Sequence, residues 1–186
     1  ILKYLNQYAH PCCNLAYTVD QDYHHVITIP VYDEPISFIQ NLPHYPPGLG
    51  NILVILNINA PENSSLNSRQ ANTTMIQWIK HNYLVKSGHN QHCYTIRNDL
   101  DLFLIDSSQY SDEMMSVGLA RKMTADLALQ LWVLGKIKLP WIHCTDADVK
   151  LPTHYFSITE TMNNNSPAYT YPFTHHHDNP TLKAYG

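Results

Sequence analysis

Apolar residues alternate between two patterns along the chain. Four short runs have strand length: 25–32 (HVITIPVY), 51–59 (NILVILNIN), 101–106 (DLFLID) and 141–145 (WIHCT). They are rich in aliphatic and β-branched residues and lack polar alternation, as expected of strands covered on both faces. Between them the spacing turns helical. Asp33-Glu34-Pro35 precedes Ile36, Phe38, Ile39 and Leu42 like the acidic first turn of a helix. From Ser68 onward Met75, Ile76, Ile79 and Tyr83 share a helical face, with Gly88 as a stop. Ser116 caps a longer helix whose stripe, Ala120, Met123, Leu127, Leu131 and Leu134, runs to Gly135.

The resulting order is βαβαβαβ, which predicts an α/β fold: a mostly parallel central sheet, right-handed crossovers and helices on both faces. Before it, 1–9 reads as a short helix ended by Pro11, and the polar segment to Asp22 as loop. Residues 43–50, with three prolines and two glycines, and 60–67 read as loops. Residues 168–173 (AYTYPF) form a weaker strand, with Pro172 favouring an edge. Residues 1–24 are thus an N-terminal extension and 25–186 one domain, without internal repeats.

Composition narrows the function. The 186 residues are 44% hydrophobic, ample for one core. Eleven Lys and Arg against fifteen Asp and Glu give a net charge of −4, too acidic for a nucleic-acid surface. Any diphosphate ligand then needs a metal, a helix N-terminus or a few placed cations. Cys12, Cys13, Cys93 and Cys144 show no C-x-x-C spacing, and Cys144 falls in a strand expected to be buried, which points to a reduced, cytoplasmic protein. No apolar run is long enough to span a bilayer and no signal peptide is visible, so any membrane association is expected to be peripheral, at the inner face. The chain starts at Ile1 rather than Met, as a fragment would.

The chemistry concentrates in 139–152 (LPWIHCTDADVKLP). Asp146 and Asp148, one residue apart at the carboxyl end of a strand, occupy the position where open α/β sheets bind ligands. Hard oxygen donors of this kind suit Mg²⁺ or Mn²⁺ held together with a diphosphate. No G-x-G-x-x-G and no G-x-x-x-x-G-K-[ST] is present, which argues against a dinucleotide-binding Rossmann domain and a P-loop enzyme. The run His175-His176-His177-Asp178 lacks an H-E-x-x-H spacing and reads as a polar loop rather than a zinc site.

Four segments together, ITIPVYDEP, the strand ending at Asn57 to Asn59, VGLARKMTADLAL and WIHCTDADVKLPTHY, resemble the family 2 glycosyltransferases of the GT-A fold. The resemblance covers 27–155. It implies transfer of a sugar from a nucleotide-diphosphate sugar, UDP-linked by preference, to a carbohydrate or lipid-linked acceptor, mostly with inversion. It places Pro30 and Tyr32 at the base, with the Tyr32 ring against uracil, and Asp33 and Glu34 in the following loop. Asn57 and Asn59 stand where the family has Asp-Asp-x-Ser. An Asn oxygen still accepts from a base N–H, and Asn is equally an ordinary turn residue. Arg121 corresponds to the family's nucleotide-directed Arg, with Lys122 in place of Asn. Asp126 either orients Arg121, lines the donor pocket or is a plain surface acid. Asp148 is the implied ligand of Mn²⁺ or Mg²⁺, and Asp146 meets the metal, its waters or the donor. A late His, His175 or His177, completes the site in some members. Glu160 and Asp178, the acids further on, have no recognisable context, so no catalytic base is named. About 30 residues follow Tyr155, so the acceptor half is expected to be cut short. The alternatives are a non-catalytic nucleotide-binding module, a nucleotidyltransferase, whose Gly-rich Lys-bearing loop is missing, and surface acids without a function.

Overall fold

A computed structural model describes residues 1–42, 50–61, 63–86, 92–108, 115–152, 154–157, 159 and 167–172. The apolar runs become β1 (His25–Val31), β2 (Ile52–Ile58), β5 (Leu100–Asp106) and β6 (Ile142–Cys144). Two strands not anticipated from the sequence, β3 (Leu84–Val85) and β4 (Cys93–Arg97), precede β5. The sheet order is β3-β4-β5-β2-β1-β6, with the four long-range partners parallel and the β3-β4-β5 edge antiparallel. The fold is therefore α/β with a mixed, mostly parallel sheet.

Side-chain alternation divides the core into two layers. Ile27, Ile29 and Val31 of β1, with Val54, Leu56 and Ile58 of β2, pack against Met75, Ile76 and Ile79 of α2 (Leu66–Asn82). Leu53, Ile55 and Phe103 turn the other way, onto Met123, Leu127 and Leu131 of α3 (Val117–Val133). The chain steps from β1 to β2 to β5 in one direction and then returns past β1 to β6. With crossover handedness fixed, that reversal puts α3 on the face opposite α2.

Pro30 sits inside β1, where a proline removes a ladder donor. Its ring nitrogen points toward β6, since Thr28, two residues earlier, bonds Thr145 on that side (3.2 Å). β6 pairs only with Val26 to Thr28 and has ended before Pro30, so no bond is lost.

α2 and α3 begin at serine caps: Ser65 accepts from the Ser68 N–H (3.0 Å) and Ser116 from that of Leu119 (3.1 Å). Gly135, at φ 73°, closes α3, its N–H bonding the Trp132 carbonyl at 2.9 Å. The segment after β1 winds into a short 3₁₀ helix, Ile36–Asn41, rather than an α-helix. Prolines at 35 and 43 leave too little chain for α-helical turns, yet Phe38 and Ile39 still reach the core.

The N-terminal part differs more. α1 (Leu2–Gln7) forms as expected, but the expected loop after it holds a 3₁₀ helix, Pro11–Thr18. Pro11 suits its first turn, and the His10 ring accepts from the Cys12 N–H (3.2 Å). Cys12, Ala16, Val19 and Tyr23 join the α3-side core, whereas α1 buries none of its residues.

Two further expectations are corrected. Cys144 is exposed, because β6 is the edge strand and only His143 of its three residues is buried. Residues 168–172 form no strand: Tyr171 stacks on Tyr155 (4.8 Å between rings) and Tyr169 tilts against Trp141 (5.4 Å). Side-chain packing fixes this stretch, and Pro172 cannot donate to a ladder. Phe173 and Gly88 lie outside the described residues, as do Glu160, His175, His177 and Asp178.

Candidate functional site at the carboxyl ends of β1 and β6

The strand order creates one topological switch point. From β1 the chain leaves toward β2 on one side, and it comes back to β6 on the other. At such a point the loops leaving the two strands diverge to opposite faces and a crevice opens between them. A cleft of about 280 Å³ lies there, lined by Glu34, Phe38 and Asn41 after β1 and by Thr145, Asp146, Asp148 and Lys150 after β6. The two aspartates thus open onto one shared cavity. Ala147 between them is buried in the α2-side core, which turns both acidic neighbours outward.

Glu34 is a partly buried carboxyl on the cleft wall. Partial burial, then the charges of Asp148, Asp33 and Asp146, hold its pKa above the ordinary value. Mutual repulsion of this kind is relieved by a cation. Among the described residues, however, no three His, Cys, Asp or Glu side chains converge as a ready-made metal site.

Arg121 of α3 does not line the cleft itself but pairs with Asp146, which does. Its Nη2 donates to both oxygens of Asp146, at 2.6 and 2.8 Å. Both side chains are about half exposed (55% and 47%), so this pair contributes little to stability and is free to exchange partners.

The remaining residues singled out from the sequence lie off the cleft wall. Tyr32 leans toward the start of α2, where the hydroxyls of Ser64 and Ser68 hold its phenol below the usual range. Asp33 accepts from Ser68 Oγ (2.9 Å) on the same side. Asn57 and Asn59 are fully buried. The Asn57 amide donates weakly to the Ala120 carbonyl (3.5 Å), and its oxygen has no partner. Neither polar side-chain atom of Asn59 has one. Each orphaned buried polar atom costs about 1–3 kcal/mol, a cost that a ligand edge hydrogen-bonded to the amide would offset.

Asp126 neither orients Arg121 nor faces the cleft. It is 2% exposed and anchors the N-terminal segment, accepting from Tyr4 Oη and the His10 N–H (both 2.7 Å) and pairing with Lys122. Tyr4 and His10 lie more than a hundred residues away in sequence, so the local pair with Lys122 does not announce this anchoring role. Some residues that line or support the cleft are not evident from sequence. Lys150 could have been found from its place two residues after Asp148, whereas buried Asn72, described below, gives no sequence signal.

The fold is α/β with a six-stranded, mostly parallel mixed sheet, consistent with a Rossmann-like arrangement without being specific to it, and an acidic crevice lies at its switch point. Comparison with protein-family models, curated proteins and solved structures found no match. No helix among the described residues is long and apolar enough to cross a membrane.

Proposed function

We propose that the chain binds a nucleotide-diphosphate sugar with Mn²⁺ or Mg²⁺ in the β1/β6 cleft and transfers the sugar to an acceptor, as a GT-A glycosyltransferase does. The observation that carries this reading is the pair Asp146 and Asp148 at the switch point, facing the same cleft as Glu34. Mg²⁺ is commonly held by one or two carboxylates plus substrate phosphates, so these aspartates fit the ion without a third protein ligand. When bound, the ion supplies Lewis-acid neutralisation of the departing diphosphate.

The chain's own residues account for the rest of donor binding. Arg121 uses only Nη2 on Asp146, which leaves Nη1 and Nε to reach a phosphate oxygen. Lys150 brings a second cation to the cleft wall. A volume near 280 Å³ matches the diphosphate and sugar better than a whole donor, so the nucleoside would extend past the rim. A UDP-linked donor follows from the resemblance in the first strand, with a carbohydrate or lipid-linked acceptor.

Calorimetric titration of UDP with Mn²⁺, Mg²⁺ or no metal tests the proposal, beside UDP release from UDP-sugars offered with a panel of acceptors. The expected result is metal-dependent binding that Asp148→Asn weakens at least about tenfold, with turnover when an acceptor is present. Metal-dependent binding without turnover reduces the reading to a nucleotide-binding module. No binding, or binding indifferent to Asp148→Asn, refutes it.

A further inference from the structure

Asn72 is 1% exposed in the interior of α2, a position where Asn is a poor helix former and a buried amide needs partners. Both ends of its side chain are used. Oδ1 accepts from the Asp33 N–H at 3.0 Å, and Nδ2 donates to the Asn59 carbonyl at 2.8 Å. One side chain therefore ties together the chain leaving β1 and the chain leaving β2. Ser68, one turn earlier on α2, adds the bond from its Oγ to the Asp33 carboxylate.

Asp33 is held in an uncommon shape. Its φ of 56° is the only positive value at a non-glycine position among the described residues. An L-residue reaches this region only at a cost, and it stays there when its surroundings over-determine it. The next two residues cannot absorb a change of direction. Pro35 has a fixed φ, and a residue preceding proline is confined to extended backbone, which restricts Glu34. The turn at Asp33 thus sets where Glu34 goes, and Glu34 goes to the cleft.

We infer that Asn72 is the positioning residue of the cleft: from α2 it holds Asp33 in the left-handed turn that delivers Glu34 to the wall shared with Asp148. Its significance for ligand binding rests on the proposed reading of the cleft, whereas its hold on the turn does not.

The test is a double-mutant cycle of Asn72→Ala and Asp33→Gly, read by Mn²⁺-dependent UDP affinity and by NMR. Glycine adopts positive φ without help, so it removes the need for the clamp. Asn72→Ala is expected to weaken UDP binding about tenfold when residue 33 is Asp and less than about threefold when it is Gly. The intraresidue amide-to-α-proton NOE of Asp33, strong in the left-handed backbone, is expected to fade in Asn72→Ala. Equal weakening in both backgrounds, or an unchanged NOE, overturns the inference. If the wild-type chain binds no UDP, the proposed function fails while the NOE alone still decides the role of Asn72. Should Asn72→Ala not fold, Asn72→Ser, too short to reach both partners, takes its place with the same expected results.

Discussion

Lowering the pH should destabilise this protein through one buried histidine. His143, 4% exposed, lies with His25 among the rings of Tyr155 and Phe156, each about 5 Å from it between centroids (5.1 Å). Its Nε2 has no hydrogen-bond partner. Burial first, and the neighbouring His25 second, push its pKa down to about 3 from 6.5. The folded state therefore keeps His143 neutral where the unfolded chain takes up a proton. Stability from this group is fully present above pH 6.5 and is lost as pH falls from there toward 3. At pH 5 the loss amounts to about 2 kcal/mol, one and a half pH units at about 1.4 kcal/mol each. With a urea m-value of about 2 kcal/mol/M, that moves the unfolding midpoint by about 1 M. His143→Phe keeps an aromatic ring in the cluster and removes the titration. Urea unfolding at pH 8, 6.5 and 5 should show the wild-type midpoint falling about 1 M further than that of the variant. Parallel loss in both, within about 0.5 kcal/mol, would refute the reasoning.

Other expectations follow from single contacts. Asp126→Ala strips the partner from Tyr4 Oη and the His10 N–H, and should cost about 3 kcal/mol, with faster hydrogen exchange confined first to residues 1–18. Of the four thiols, Cys144 alone is exposed, while burial raises Cys13 and pushes Cys12 to about 12 and Cys93 to about 11. Ellman's reagent should therefore titrate one thiol in the native protein and all four in denaturant. Arg121→Ala removes a half-exposed ion pair, so the unfolding free energy should change by less than about 1 kcal/mol while UDP affinity with Mn²⁺ falls about tenfold.

What the sequence made legible depended on how local the signal was. β1, β2, β5 and α3 announce themselves because apolar runs and a helical stripe are bounded by residues that end them, such as Gly135 and Ser116. β4 carried a usable signal in its β-branched CYTIR, but β3 is two exposed residues and offers none. The 3₁₀ helix at 11–18 is held by burial against α3, a long-range effect that local polarity conceals. The same distinction separates the site residues. Asp146 and Asp148 stand out by their spacing at a strand end, whereas the cleft they share with Glu34 depends on β6 returning beside β1, a choice of strand order that no local pattern encodes. Asn72 and Asp126 act through partners distant in sequence, and each reads as an ordinary helix residue until the chain is folded.

Whether the crevice between β1 and β6 holds a metal-bound nucleotide diphosphate can be read by paramagnetic NMR. Substoichiometric Mn²⁺ added with UDP to ¹⁵N-labelled protein broadens amides near the ion. Broadening is expected to centre on Glu34 and on Asp146 to Lys150 and to disappear in Asp148→Asn. Broadening centred elsewhere on the protein, or none that depends on UDP, would contradict the proposed function.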